Sequence, residues 1–389
     1  MAGELALDGR LRPVRGVLPI AELAARRGAR LIVATENLAE ARRVTDCRSF
    51  GADTLVEARM IALGKSKGEA APRGAPQARS AGLDMADVGG QELAKRALEV
   101  AAVGGHHVLF TGPPGAGKTM LARRLPGIMP PLSEAESLEV TRIQSVAGLR
   151  LESMHAELRP FRAPHHSISR AGLIGGGNPP APGEISLATH GVLFLDELPE
   201  FSRDVIESIR QPLESGQVSI RRVQYTVAFP AMVQLVASMN PCPCGHFGNG
   251  NRCNCDPILV SRYRARVSGP LRDRMDLVVD FQAVRFDDLV ASEGRETSSQ
   301  IRQRVIAARC FAMARGQKLP NARLGDAGIP ESTKLGAEGE RLLRAAVESL
   351  GVSARGITRL RRVARSIADL AASPEIRPEH LAEAIQFRA

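Results

Sequence analysis

One stretch limits the possible folds more than any other. Residues 107–125 read HVLFTGPPGAGKTMLARRL: an apolar strand ending at Thr111, a loop of Gly112, Pro113, Pro114, Gly115, Ala116 and Gly117, then Lys118, Thr119 and the start of a helix. This is G-x-x-x-x-G-K-[ST] in the strand–loop–helix setting that gives the motif its meaning. The glycines let backbone N–H groups turn inward around phosphate oxygens, and the helix N-terminus adds a favourable field for anions. Lys118 is positioned to reach the β/γ-phosphates and Thr119 to ligate Mg²⁺. The expected ligands are therefore ATP and Mg²⁺, held in an α/β core built on a parallel sheet.

A second apolar run, GVLFLDE over residues 191–197, ends in two carboxylates. A strand buried on both faces explains Val192 to Leu195. Asp196 then lies at the C-terminal end, where open α/β sheets bind ligands. It is expected to hold Mg²⁺ through water, with Glu197 polarising the attacking water. A third run, VQLVASM over residues 233–239, ends at Asn240. That side chain is either a turn former or, beside two matched strands, a sensor that positions the lytic water. Together these features predict hydrolysis and not mere nucleotide binding.

The rest of the chain divides by pattern. Residues 1–63 mix a strand-like RLIVA (Arg30–Ala34) with helical stretches around Ala21–Arg27 and Asp53–Leu63. Residues 64–82, GKSKGEAAPRGAPQARSAG, have a linker composition. Strands and helices alternate through residues 83–290. From 291 to 389 only helical periodicity remains, with helices expected near 299–316, 337–350, 354–372 and 378–388. No run of about 18 apolar residues is present, and the charged N-terminus does not read as a signal peptide. A cytoplasmic protein without a membrane span is expected.

Composition is informative in two respects. The net charge of +10 points toward an anionic partner or, equally simply, toward arginines spread over solvated surfaces. Aromatic residues make up 3% with no Trp, so any nucleic acid would be held by phosphate contacts more than by base stacking. Four of the six cysteines fall in one short segment as C-x-C-x₈-C-x-C: Cys242, Cys244, Cys253 and Cys255. Four thiolates on a Gly/Asn-rich loop suit a structural, tetrahedral Zn²⁺; reduced, unligated thiols in a turn are the alternative. Cys47 and Cys310 sit in apolar patterns and are expected to be buried.

Longer motifs add a resemblance. The stretch RPFRAPHHSISRAGLIGGGNPPAPGEISLATHGVLFLDELPEF, followed by IRQPLESGQVSIRRV and NPCPCG, resembles the YifB/ComM family of magnesium-chelatase-like AAA+ ATPases, over nearly the whole chain. The resemblance implies a P-loop core with helices on both faces of a parallel sheet and an all-α C-terminal lid. It also implies a partial N-terminal Lon-protease-like lobe that lacks its first half, which would leave a sheet edge and apolar surface exposed. No Lys precedes Lys65, so the Ser–Lys dyad of Lon-type peptidases is not expected.

Further roles follow from the resemblance by position. The segment holding His165 and His166 corresponds to an insertion facing a ring channel; in isolation the pair suits metal ligation, in this setting loop structure. Residues 216–229 resemble a hairpin that projects into the pore, making Arg221 and Arg222 either DNA phosphate contacts or solvated tip residues. Arg274 matches the arginine finger that reaches a neighbouring subunit's nucleotide, with Arg272 as competitor. Arg359, or Arg355 four residues earlier on the same face, matches the second sensor. The implied activity is an ATP-driven, hexameric helicase that promotes branch migration on single-stranded or branched DNA in recombination or natural transformation. The alternatives are a motor subunit of a magnesium-chelatase-type complex acting on a protein partner, and a scaffold that binds ATP without working.

Overall fold

The computed structural model describes residues 1–66, 83–149, 159–221, 226–247, 253–282, 294–325 and 331–388. The expected linker lies almost wholly outside these residues, as does Arg222.

The N-terminal lobe contains α1 (Val17–Arg26), β1 (Arg30–Ala34), β2 (Arg48–Ala52) and α2 (Leu55–Ala62), with β1 and β2 paired in parallel. The strand matches its expected bounds because RLIVA can bury four consecutive side chains, Leu31 to Ala34, between two small apolar clusters. Leu7, Val56 and Leu63 are exposed on this lobe.

The ATPase-like core is a five-stranded, all-parallel sheet. Its strands are β3 (Val108–Thr111), β4 (Phe161–Arg162), β5 (Val192–Leu195), β8 (Gln234–Met239) and β9 (Leu277–Asp280), in spatial order β9-β3-β8-β5-β4. Between β5 and β8 in the chain, β6 (Gln217–Arg221) and β7 (Thr226–Pro230) form a separate antiparallel hairpin. Alternation divides the sheet between two cores. Val108, Phe110, Val192, Phe194 and Val236 face α3 (Glu92–Gly104), α4 (Lys118–Ile128) and the C-terminal helices. Leu109, Leu193, Leu195, Leu235 and Ala237 face Leu198, Phe201, Ile206 and Leu271. Burial on both faces is why these strands read as unbroken apolar runs.

The N-terminal lobe rests on α5 (Glu134–Ala147), which follows α4. Arg142 makes a two-pronged ion pair with Glu22, and the backbone N–H of Leu18 reaches Ser145 Oγ at 3.3 Å. The buried Glu40 accepts from the same Ser145 hydroxyl, so the contact includes a charge with its own donors.

The C-terminal region is helical: α7 (Ser298–Ala314), α8 (Ala337–Leu350), α9 (Ala354–Leu370) and α10 (Pro378–Gln386), preceded in the core by α6 (Pro257–Ala265). All four lie within a residue or two of their expected bounds. Cys47 is buried as expected, but Cys310 is exposed. Helix α7 buries Ile301, Val305, Ala308 and Ala312, a stripe spaced by three and four, and Cys310 falls two residues past Ala308 on the outer face.

Candidate nucleotide site

The phosphate-binding stretch leaves the C-terminal end of β3, one of three neighbouring strands that build the site. Gly112 packs so tightly that an added Cβ would lie 2.6 Å from Phe281 Cβ, while Gly115 and Gly117 take positive φ values of 77° and 93°. Only residues without a side chain fit all three positions. Gly117 caps α4, whose first residue is Lys118.

Lys118 folds over its own loop. Its Nζ donates to the carbonyl oxygens of Gly112 (2.6 Å) and Pro113 (2.9 Å) and to Asn240 Oδ1 (3.1 Å). Burial lowers its pKa from the ordinary lysine value, opposed by the carboxylates of Asp196 and Glu197. Thr119 Oγ1 donates to Asp196 Oδ2 at 2.7 Å, so the two expected Mg²⁺ ligands already touch. Ser238, two residues before Asn240, donates its hydroxyl to the other Asp196 oxygen. The sequence does not mark Ser238, which stands within VQLVASM as an ordinary strand residue.

Glu197 has φ 51° and ψ 49°, a left-handed conformation uncommon outside glycine. Such an outlier costs on the order of 1–3 kcal/mol and persists only where its surroundings fix it. Here the Glu197 N–H is held by Asp196 Oδ1 (3.1 Å) and Ser238 Oγ (3.3 Å). The carboxylate is thereby turned outward, its side chain 56% exposed, beside the lysine and the Thr119–Asp196 pair. The rings of His165 and His166 lie 4.0 Å apart, and His166 Nδ1 is 3.8 Å from Glu197 Oε2. The pair is thus a neighbour of Glu197, through His166, and His165 braces its own loop through Ser167 at 2.8 Å.

The arginines assigned by resemblance are elsewhere. Arg359 Nε is 3.6 Å from Asp276 Oδ1, at the start of β9, which runs parallel to β3 with Leu277 opposite Val108. At about 3.3 Å per residue, roughly 13 Å of strand separates that end of the sheet from the loop after Thr111. Burial would raise the Asp276 carboxyl, but His106, whose Nδ1 lies 3.4 Å from Asp276 Oδ2, together with His107 and Arg359, outweighs this and holds it at about 2. Arg274 Nη1 donates to Pro270 O at 2.6 Å and its other nitrogen pairs with Glu214. Arg272 and Arg355 are exposed. None of the four is brought to Lys118 of its own chain. Arg221, at the end of β6, is exposed.

The four clustered cysteines do converge. Their sulfurs all lie within 4.8 Å of one another, with Cys242 Sγ 3.3 Å from Cys244 Sγ and 3.7 Å from Cys253 Sγ. A tetrahedral zinc with bonds of about 2.3 Å has sulfur–sulfur edges of about 3.8 Å. The donor set therefore fits that metal.

A family model described as magnesium chelatase, subunit ChlI, matches residues 84–289, and its companion, magnesium chelatase, subunit ChlI C-terminal, matches residues 295–388. Among curated proteins, the chain is 44% identical over 394 residues to competence protein ComM of Haemophilus influenzae, covering 99% of this chain and 77% of that one. It is 45% identical over 392 residues to YifB of Salmonella typhimurium, covering 100% and 77%. A magnesium-chelatase 38 kDa subunit of Cereibacter sphaeroides is 25% identical over 325 residues, covering 76% of this chain and 92% of that subunit. With both halves of the ATPase-like region matched and such identity sustained along the whole chain, the protein belongs to the YifB/ComM family of magnesium-chelatase-like AAA+ proteins.

Proposed function

We propose that this chain is one subunit of a cytoplasmic, ATP-hydrolysing ring that moves along DNA and drives branch migration during recombination or natural transformation. The observation that carries the reading is the convergence of Lys118, Thr119, Asp196, Glu197 and Asn240 at the C-terminal ends of three neighbouring parallel strands. ATP seats its phosphates on Gly112–Thr119, and Lys118 exchanges its carbonyl partners for phosphate oxygens. Thr119 and Asp196 would hold Mg²⁺, which would supply charge neutralisation to the phosphates. Glu197 accepts the proton of the attacking water, and Asn240 orients that water. Arg274 and Arg359 complete the site of a neighbouring subunit. Their position at the far end of the sheet from their own Lys118 supports this, since a head-to-tail ring joins unlike faces. Zn²⁺ on Cys242, Cys244, Cys253 and Cys255 is structural.

DNA engagement rests on the excess of positive charge and on Arg221 at the hairpin end. The test is ATP-dependent conversion of a synthetic four-way junction to duplex products. Arg221→Ala should weaken junction binding and make the log–log salt dependence shallower by about 0.7–0.9 for each phosphate no longer neutralised. A junction that stays intact under every condition in which the protein hydrolyses ATP contradicts the reading. A second reading, a motor acting on a protein partner in a chelatase-type complex, is favoured by the likeness to the magnesium-chelatase 38 kDa subunit.

A further inference from the structure

The cysteine cluster and the phosphate loop touch. The chain leaves β8 at Met239, and Asn240 accepts a hydrogen bond from Lys118 Nζ at 3.1 Å. Only Pro241 then intervenes before Cys242, which is fully buried. The N–H of Gly245 returns to Cys242 O at 3.0 Å and closes the turn. At Gly245 (φ +83°) an added Cβ would lie 2.5 Å from Pro114 Cδ and 3.1 Å from Pro114 Cγ. The turn that follows the second cysteine is thus pressed directly against the phosphate loop, at a distance only glycine permits.

The opposite side is braced as well. The Phe247 N–H points at Cys242 Sγ (3.3 Å), the kind of donor that steadies a ligating thiolate. The Arg264 guanidinium on α6 lies 5.0 Å over the Phe247 ring, and its Nε donates to Pro241 O at 3.1 Å. Between these two walls the described residues of the turn bury little apolar side chain. Of the four cysteines only Cys242 is buried; Cys244 is exposed and Cys253 and Cys255 are intermediate. Ligation of a metal would tie the exposed cysteines to these braced residues and order the turn further.

We propose that the four-cysteine turn is a metal-dependent clamp on the nucleotide site: a bound zinc fixes the turn, and the turn holds Pro114 and Asn240 where the phosphate loop and Lys118 need them. This rests on the assignment of zinc to the four cysteines and extends it from a local staple to a control on nucleotide affinity. Gly245, Pro114 and Asn240 act here as positioning residues. Loss of the metal frees the turn, so Asn240 no longer meets Lys118 and the loop is no longer backed at Pro114. Losing one hydrogen bond to a charged group corresponds to roughly a tenfold weakening.

The test uses the full chain, with two readouts: zinc content by elemental analysis, and equilibrium binding of a fluorescent ATP analogue. Dialysis against a zinc chelator followed by magnesium repletion should weaken binding roughly tenfold, the effect of one such hydrogen bond, and zinc alone should restore it. Cys253→Ser with Cys255→Ser should reproduce the weak state and no longer respond to zinc. Gly245→Ala keeps every sulfur, so it should retain zinc yet bind the analogue more weakly; it decides the matter where the double serine variant does not fold. Protein that neither contains nor takes up zinc overturns the metal assignment. Protein that binds zinc but keeps the same nucleotide affinity after its removal, and in Gly245→Ala, overturns the clamp while leaving the metal assignment standing.

Discussion

Replacing Glu197 by glutamine should leave ATP binding close to its parental affinity and lower steady-state hydrolysis by about 10²–10⁴-fold, the usual worth of a positioned general base. The amide keeps the size and hydrogen-bonding reach of the carboxylate but cannot take a proton from water. The hydrogen bonds of the groups that hold the nucleotide are kept, because Lys118 is anchored by Gly112, Pro113 and Asn240 and the Thr119–Asp196 pair is separate from the Glu197 side chain. The left-handed backbone at Glu197 is fixed through its N–H, which glutamine retains. Lys118→Ala should behave oppositely and lose nucleotide binding. Binding by titration and turnover by phosphate release separate the two. Parental turnover in Glu197→Gln would mean that another group takes the proton, and His166, 3.8 Å away, would be the first to examine.

The second large effect concerns Arg274. Arg274→Ala should lower hydrolysis by about 10³–10⁵-fold, the range found for an arginine supplied from a neighbouring subunit. In the isolated chain this arginine is tied down by Pro270 and Glu214 and is distant from its own phosphate loop. If Arg274 is the finger proposed above, assembly draws it across an interface. Mixing makes that explicit. Arg274→Ala subunits retain Lys118, and Lys118→Ala subunits retain Arg274. In an equal mixture about a quarter of the head-to-tail interfaces in a ring would join an intact loop to an intact finger. Partial recovery of hydrolysis is the expected result, and no recovery at any ratio contradicts a finger acting in trans. Arg272, which is exposed, is the control: its alanine variant should retain most activity.

What was legible in the sequence was whatever depends on local pattern. The doubly buried strands announced themselves as VLFT and VLFL, the lid helices by their apolar spacing, and the phosphate loop by glycines whose positive φ the fold requires. What remained hidden depends on contacts between distant segments. Ser238 reads as an ordinary strand residue until β8 is set beside β5 and its hydroxyl meets Asp196. The Gly245–Pro114 contact joins two loops more than a hundred residues apart in the chain, and no periodicity records it. Cys310 failed for a simpler reason: an apolar neighbourhood in sequence does not say which side of a helix a residue occupies. The resemblance supplied roles for Arg274 and Arg359, while their distance from Lys118 came only from the parallel register of β9 on β3.

The most direct test of a DNA-driven motor is steady-state ATP hydrolysis by the full chain, alone and with single-stranded, duplex or four-way-junction DNA, at low and moderate salt. Strong stimulation by DNA that fades as salt rises is the predicted result, because phosphate contacts carry the affinity. Robust hydrolysis that is indifferent to every DNA at every salt concentration would contradict it and direct attention to a protein partner.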